Sequence, residues 1–363
     1  MTLPAGVMLP CEIERRQIFH TLKMWSSLTA WRRILHFYQV WADATESSLR
    51  EASDKGWEDK SSIHSDDLVS ILKGAADLED AVSRLSKGDK RIFRYASHAE
   101  LVRAQRPLEH WGRKLGPMGL IETGDISVDT DHTPYWGEFK RSANALMDVW
   151  GECAPDIVQE GSHGKPVDEA PTIYGAWHLE WLPKMVFPEA LPEVPNPSDV
   201  VLIGTGRVVP FSGIWEPVYV PAPKVLSLFK PSSPKGPLAV VGCMNYLHEG
   251  TSAPRAKQET ENESLRANVT WRLLWRDNRY EDGTVPEEEA QYVFLQPVAA
   301  EEATASTRGT SSVSLTVAES GERAPVAGRW LVEGDLHASV DVAVGEELPL
   351  HKGRKVRWTL AVA

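Results

Sequence analysis

Cysteine is scarce in this chain of 363 residues. Cys11, Cys153 and Cys243 are odd in number and far apart, so their spacing suits neither a zinc ribbon nor a disulfide framework. The eleven histidines are scattered and lack the paired spacing of metal ligands. We therefore expect no metal site and a reducing compartment.

Sequence motifs of catalysis and nucleotide binding are also missing. The chain has no G-x-S-x-G, no H-E-x-x-H, no Walker loop and no complete G-x-G-x-x-G. Gly204-Thr-Gly206 follows a predicted strand, but it leads into a proline turn rather than a helix, which disfavours a phosphate site. The sequence thus predicts no catalytic residue and no cofactor.

Excess positive charge and long apolar runs are absent. The net charge is −12, and residues 121–200 hold 15 acidic and 4 basic residues, so this belt carries most of it. An acidic belt argues against nucleic-acid binding and is compatible with a basic protein partner, although a solvated face is the competing interpretation. No run is long enough to span a membrane, and the N-terminus lacks the basic start of a signal peptide, so we expect a cytoplasmic protein without membrane contact.

Helical periodicity dominates the first 160 residues. Apolar and aromatic side chains recur at steps of three and four over 12–50, which predicts one long amphipathic helix or a helix pair. Further helices are predicted from Ser65, as a candidate N-cap, over 90–115, and from Thr133-Pro134 onward. The residues 120–133 between the last two read as an acidic loop.

Beyond Gly161 the prolines multiply and the apolar period shortens towards two. We predict one or two strands over 172–182, a linker over 188–197 and a strand over 200–204. A short helical turn is predicted to follow Pro286.

The ten-residue pattern G-x-x-x-P-x-x-G-x-W occurs twice, and each copy is followed by V-x-W-x-L. Glycine and proline together force a turn, and the tryptophan that follows anchors a strand. We interpret the two copies as one β module used twice, with insertions at 221–237 and 250–268 in the first, and with Gly242 and Gly345 as a further matched pair. The motif residues are Gly206, Pro210, Gly213, Trp215 and Trp271 in the first copy, and Gly321, Pro325, Gly328, Trp330 and Trp358 in the second.

These patterns predict an α+β multidomain protein. An all-α helical domain over 1–160 is followed by β module 1 over 170–297, a low-complexity linker over 298–312 and β module 2 over 313–363. The modules are expected to be antiparallel, either small barrels of SH3-like type or meanders.

Several segments over about 130–295 resemble immunity proteins of bacterial polymorphic-toxin and type VI secretion systems, in the families called immunity protein 71 and 72. The resemblance is carried by Tyr135-Trp136-Gly-Glu-Phe139, Val149-Trp150, Thr205-Gly206, Pro210-x-Ser212-Gly213-Ile-Trp215-Glu-Pro217, Gly242-Cys-Met-Asn, Thr270-Trp-Arg-Leu-Leu-Trp275, Asp277-x-Arg279-Tyr280 and Asp282-Gly283. The second copy of the repeat lacks the serine and the Glu-Pro pair and has Ala327 and Leu331-Val332 instead.

The resemblance implies a non-enzymatic inhibitor that binds a cognate toxin effector in the cytoplasm of the producing cell and occludes its active site. A toxin with a basic active-site groove, such as a nuclease, would suit the acidic belt, and we hypothesise that Asp125, Asp129, Asp131 and Glu138 contribute to that contact. Self-association is compatible with the sequence.

Two other classes of function stay open at this point. One is an enzyme with a site between the helical and β domains, built from His178, Cys243 and acidic residues, although a buried inert thiol is the favoured interpretation of Cys243. The other is a structural or adaptor protein of a secretion machine that uses the β modules for docking.

Overall fold

The computed structural model describes residues 6–116, 118–197, 200–220, 238–260, 263–297, 317–332 and 335–361. Its N-terminal part is helical and its C-terminal part is built from antiparallel sheets, so the predicted α+β class is confirmed. The α-helices in the described part of the chain are α1 (Glu12–Trp25), α2 (Leu28–Asp54), α3 (Ser65–Leu85), α4 (Glu100–Leu115), α5 (Trp136–Cys153) and α6 (Ala176–Trp181), with short 3-10 helices at Lys90–Phe93, Leu182–Lys184 and Glu287–Gln291.

Helices α2 to α5 form a four-helix bundle in which each helix contacts the next and α5 returns to α2. The rings of Trp31 and Trp150 lie 5.8 Å apart, and those of Trp41 and Phe139 lie 5.9 Å apart, so α2 and α5 run antiparallel. The aromatic stripe of the N-terminal segment is therefore helix-packing core.

The N-terminal stripe is a helix pair, and the break falls at Ser26-Ser27. Ser27 is the N-cap of α2, and its hydroxyl accepts a hydrogen bond from the backbone N–H of Ala30 at 3.1 Å. At α3 the N-cap is His64 rather than Ser65, and the His64 N–H donates to the carboxylate of Asp67 at 2.9 Å.

The prediction of strands over 172–182 is wrong, because this segment contains α6. The ring of His178 packs on Tyr174 at 5.7 Å, and the ring of Trp181 packs on Trp25 of α1 at 5.4 Å. Residues 174, 178 and 181 follow a spacing of three and four, which suits a helix lying on α1. The prolines around this segment had favoured strands, in which apolar residues recur at every second position.

The strands of the described residues are β1 (Gly161–Ser162), β2 (Lys165–Pro166), β3 (Leu202–Gly204), β4 (Gly213–Tyr219), β5 (Ala239–Val240), β6 (Asn245–Leu247), β7 (Ala256–Glu259), β8 (Ser264–Ala267), β9 (Thr270–Arg276), β10 (Val317–Glu319), β11 (Gly328–Val332), β12 (Asp335–Val342) and β13 (Arg357–Ala361). The first module has the strand order β3-β9-β4, with β5 and β6 both pairing the far side of β4. The second has the order β10-β13-β11-β12. Neither sheet closes into a barrel among these strands.

The two modules share their strand register. Trp215 lies opposite Leu273 in the first module, and Trp330 lies opposite Leu360 in the second. In addition, β6 pairs β4 as β12 pairs β11, with Gly213 opposite Leu247 and Gly328 opposite Val342. The repeat predicted from the sequence is therefore a repeat of structure.

Glycines of the motif take backbone angles that other residues rarely adopt. Gly213 and Gly328 have φ of 153° and 154°, and a Cβ atom on Gly213 would lie 2.1 Å from the carbonyl oxygen of Trp275. The predicted match of Gly242 with Gly345 is wrong, because the counterpart of Gly345 is Gly250. Gly250 donates its N–H to Val209, and Gly345 donates to Ala324, each at 2.8 Å.

Each module has its own core around two buried tryptophans. Trp215 and Trp271 belong to the first core, and Trp330 and Trp358 belong to the second. The indole N–H of Trp271 donates to the carbonyl of Pro254, and that of Trp358 donates to the carbonyl of Pro349. The motif tryptophans are thus buried in the core of their own module.

One insertion of the first module contributes to its core. The polar composition of residues 250–268 is typical of a solvated loop, but they contain the hairpin of β7 and β8 and bury Ala253, Ala256 and Ala267. Along β7 the buried Ala256 and Gln258 alternate with the partly exposed Lys257 and Glu259, as expected of a strand that is covered on one face. The insertion at 221–237 lies outside the described residues.

The chain forms two compact units by its internal contacts. One comprises Met1–Pro286 with Phe294–Glu301, and the other comprises Glu287–Val293 with Glu302–Ala363. The first holds the helix bundle and the first β module together, and the second holds the second β module. The domain limits 1–160, 170–297, 298–312 and 313–363 stay predictions, and 298–312 lies outside the described residues.

Candidate partner-binding site

The four acidic residues of the binding hypothesis lie at one end of the helix bundle. Asp125, Asp129 and Asp131 are on the α4–α5 loop, and Glu138 is in the first turn of α5. All four side chains are exposed. At this end α2 and α4 finish and α3 and α5 begin.

The first half of the α4–α5 loop is fixed to the end of α4. The N–H of Leu120 donates to the carbonyl of Arg113 at 3.0 Å, and that of Ile126 donates back to the carbonyl of Leu120 at 2.9 Å. Inside this closed loop the hydroxyl of Thr123 donates to the carboxylate of Asp125 at 2.7 Å. Asp125 is therefore presented by an ordered loop.

The second half of the loop is fixed to the connection between α2 and α3. The N–H of Ser62 donates to the hydroxyl of Thr133 at 2.9 Å, and the N–H of Asp129 donates to the hydroxyl of Ser62 at 3.0 Å. His132 contacts the Asp129 carboxylate through its ring nitrogen at 2.8 Å and donates its backbone N–H to it at 3.2 Å. These bonds from His132 hold the pKa of Asp129 below its usual value, which keeps the carboxylate ionised.

The segment 118–138 carries charge of one sign. It contains five Asp or Glu residues and no Lys or Arg. The neighbouring α2–α3 connection is balanced, with exposed Glu58 and Asp59 beside exposed Lys55 and Lys60. Arg113 and Lys114 in the last turn of α4 lie at the same end of the bundle, as do Asp66 and Asp67 in the first turn of α3, so 118–138 supplies the excess of negative charge there.

The same segment exposes large apolar side chains, which sequence reasoning missed. Met118 is 91% exposed, Tyr135 51%, Leu120 40% and Ile126 37%. The apolar run Met118-Gly-Leu-Ile121 inside a loop was a signal that could have drawn attention to them. We call the exposed acidic and apolar side chains of 118–138 the acidic end of the bundle.

The opposite end of the bundle is covered by the first β module. The backbone N–H of Leu28, at the start of α2, donates to the hydroxyl of Tyr280 at 2.7 Å. The guanidinium of Arg279 donates to the carbonyl of Lys23 at 2.9 Å and to the hydroxyl of Ser26 at 2.7 Å. Lys90, just beyond α3, donates to the carbonyl of Arg279 at 2.8 Å. Within the first unit, the acidic end is thus the end of the bundle that this module leaves uncovered.

A carboxylate neutralises the cations at the covered end. Asp277 accepts hydrogen bonds from Arg279 at 2.7 Å and from the hydroxyl of Tyr246 at 2.9 Å. Burial alone would raise the pKa of Asp277, but the charges of Arg279 and Lys90, together with the hydrogen bonds from Arg279 and Tyr246, outweigh burial and hold this pKa low. The Asp277-x-Arg279-Tyr280 sequence is therefore the attachment of the module to the helices.

Models of two immunity protein families match this chain. Residues 9–164 match the model described as immunity protein 71, and residues 194–293 match the model described as immunity protein 72. The chain belongs to the immunity proteins of polymorphic toxin systems. No curated protein and no solved structure matches it.

Membership in these families indicates that the protein neutralises a toxin. The region matched by immunity protein 71 contains the whole bundle and its acidic end, and the region matched by immunity protein 72 contains β3 to β9. The second β module lies outside both matched ranges. No helix of the described residues is long and apolar enough to cross a bilayer.

The residues named for an enzymatic alternative are buried in this immunity protein. Burial lowers the pKa of His178 to about 4 and raises that of the Cys243 thiol well above its usual value, which disfavours the reactive thiolate. A cavity of about 40 Å³ beside His248 and an open one of about 640 Å³ beside Arg266 are lined by neither residue. In the described parts of the chain, no His, Cys, Asp and Glu side chains group as metal ligands.

Proposed function

We propose that this protein is a non-enzymatic inhibitor that binds its cognate toxin effector in the cytoplasm and occludes the toxin's active site. The double match to immunity protein families is the observation that carries the proposal. The toxin would be one delivered by type VI secretion or a related system and acting in the cytosol.

The acidic end of the bundle is the surface we assign to toxin binding. Its carboxylates Asp125, Asp129, Asp131 and Glu138 are exposed and have no basic residue among them in the segment 118–138. Complementary charge accelerates encounter and penalises wrong partners. A toxin that handles a polyanionic substrate has a basic groove, and an acidic protein surface can occupy such a groove.

The experiment uses the toxin encoded next to this gene. We would express that toxin in bacteria with and without the immunity protein and test whether the two co-purify. Rescue of growth with a stoichiometric complex is expected. Rescue without any complex would overturn inhibition by binding and would point to an enzyme that repairs the damage.

The surface is tested by reversing the charge of Asp125, Asp129, Asp131 and Glu138 to lysine. Association with the toxin should slow by about tenfold or more at low salt, and its salt dependence should flatten. The matched control reverses four exposed glutamates of other segments, Glu189, Glu249, Glu263 and Glu281, which gives the same change in net charge. Unchanged affinity of the first variant would remove the acidic end from the mechanism.

A further inference from the structure

We propose that the acidic end docks its partner through an apolar centre formed by Met118, Leu120, Ile126 and Tyr135, with the carboxylates as its rim. The partner is a protein surface in which basic side chains surround an apolar depression. This inference rests on the proposed function, because it assigns the partner's chemistry to the same surface.

These exposed side chains contribute little to the stability of the fold. Burial of a large apolar side chain stabilises the folded state, and Met118, at 91% exposure, obtains almost none of that stabilisation. Single exposed apolar residues are common on protein surfaces. Here four lie within one segment of 18 residues, at the end of the bundle that the first β module leaves uncovered. Exposed apolar side chains that lie together mark interaction sites.

The apolar side chains stand on ordered backbone. Leu120 and Ile126 are joined by the hydrogen bond between their backbones, and Leu120 is joined to α4 through Arg113. Tyr135 is the N-cap of α5, and its carbonyl accepts from the N–H groups of Glu138 and Phe139, each at 3.0 Å. A surface ordered before binding loses less conformational entropy on association, which favours a stable complex.

Tyr135 has a backbone conformation that folding alone does not favour. Its φ of 55° and ψ of 23° lie in the left-handed region, which is uncommon for a large aromatic residue and costs free energy. Glycine or asparagine would suit this position better, yet a tyrosine stands there with half of its surface in water. Tyrosine is one of the residues most enriched among the dominant contacts of interfaces.

Charge determines which partner suits this apolar centre. With five acidic residues and no Lys or Arg in 118–138, the surface repels nucleic acid, anionic membranes and a second copy of itself. A protein with lysine or arginine around an apolar depression complements both of its features. Such an arrangement, an apolar centre within a polar rim, is the usual anatomy of a specific interface.

Binding kinetics distinguish the contribution of the apolar centre from that of the acidic rim. The probe is a catalytically inactive form of the toxin encoded next to this gene, with the full-length immunity protein immobilised. Met118→Ser with Tyr135→Asn should raise the dissociation rate by about tenfold or more and change the association rate by less than about threefold. The charge-reversed rim variant should show the opposite pattern. Tyr135→Asn relieves the backbone strain, so thermal unfolding should show that the variant remains folded.

The control replaces two exposed apolar residues outside the segment 118–138, Val69→Ser with Leu72→Ser on α3, whose exposures of 47% and 48% are close to that of Tyr135. This variant should bind as the wild type does. A wild-type dissociation rate for the Met118 and Tyr135 variant would overturn the apolar centre while leaving inhibition by binding intact. Absence of a complex with the wild-type protein would instead overturn the proposed function. A surface that mediates self-association, seen as a dimer by sedimentation that the variant abolishes without loss of toxin binding, would also overturn the inference.

Discussion

The two β modules have the same strand plan, but they differ at a position through which the first module contacts the helices. Glu216 of β4 lies opposite Arg272 of β9, and at the equivalent pair the second module has Leu331 opposite Thr359. Glu216 is 1% exposed and accepts hydrogen bonds from Arg272 at 2.7 Å and from Arg15 of helix α1 at 2.7 Å. The two modules therefore share their strand plan, and Glu216, which the second module lacks, connects the first module to α1.

The serine that the second copy lacks forms hydrogen bonds within the first module. The hydroxyl of Ser212 accepts a hydrogen bond from the N–H of Glu249, and its carbonyl accepts one from the N–H of Asp277. Asp277 is the carboxylate that holds Arg279 against the α1–α2 junction. Among the residues by which the first copy resembles immunity proteins, Glu216, Arg279 and Tyr280 thus join the module to the helices.

The largest expected effect comes from removing the central tryptophan of either module. Trp215→Ala and Trp330→Ala each empty a site that is 0% exposed, so each should lower the free energy of unfolding of its own unit by about 4 kcal/mol. Trp215→Ala should also abolish toxin binding, because it destabilises the unit that contains the acidic end. Trp330→Ala should leave binding intact.

Hydrogen exchange resolved by unit, with toxin binding measured in parallel, tests this contrast. Trp215→Phe and Trp330→Phe serve as milder controls that keep an aromatic ring in each core. Loss of toxin binding in Trp330→Ala, with the first unit still protected from exchange, would show that the second module takes part in the complex.

A somewhat smaller effect is expected from giving the first module the residue of the second at position 216. Glu216→Leu leaves Arg272 and Arg15 facing each other without their carboxylate, which should cost about 3 kcal/mol of unfolding free energy. Urea denaturation of the full chain measures it. Adding Arg272→Thr and Arg15→Met should restore part of the loss, since no unpaired charge then remains.

The control for this ion pair is a glutamate on the surface. The carboxylate of Glu193 lies 3.5 Å from the guanidinium of Arg16, which is on α1 beside Arg15, and the Glu193 side chain is 85% exposed. Glu193→Leu should therefore change the free energy of unfolding by less than about 0.5 kcal/mol. Equal effects of the two substitutions would contradict the role of Glu216 as the buried ion-pair partner that joins the first module to α1.

Sequence reasoning succeeded where the signal was local. Gly213, Trp215 and their copies mark a turn and a strand within ten residues, and the helical stripe of 12–50 repeats at every turn. It failed where contacts between residues distant in sequence determine the structure. The ion pair of Arg15 with Glu216 joins residues 201 positions apart, and the exposure of Met118 depends on what packs around the loop. α6 was misread because local composition favoured strands while its partner, α1, lies far away in sequence.

The smallest expected effect concerns acid stability, in which the modules should again differ. His248 follows β6 and is buried, and its counterpart in the second module is Ala343. Burial, with a smaller contribution from the charge of Arg94, lowers the pKa of His248 to about 3. An unfolded histidine has a pKa of about 6.5, so at pH 5 the unfolded chain binds a proton that the folded chain does not. The free energy of unfolding should therefore fall as the pH falls below about 6.5, by up to about 2 kcal/mol between pH 7 and pH 5 for this histidine.

His248→Phe isolates this contribution, because a ring remains beside Phe93 and Tyr246 while the titrating group is removed. Its unfolding free energy, measured by urea denaturation at pH 7 and pH 5, should fall less than that of the wild type by about 2 kcal/mol. The buried carboxyls Glu152 and Asp156, whose pKa values burial raises, act in the opposite direction but are common to both proteins and cancel in the difference. His98→Phe, at an exposed position, should keep the full pH dependence. Identical pH dependence of His248→Phe and wild type would show that this histidine is not held neutral by the fold, and the modules would then not differ in this respect.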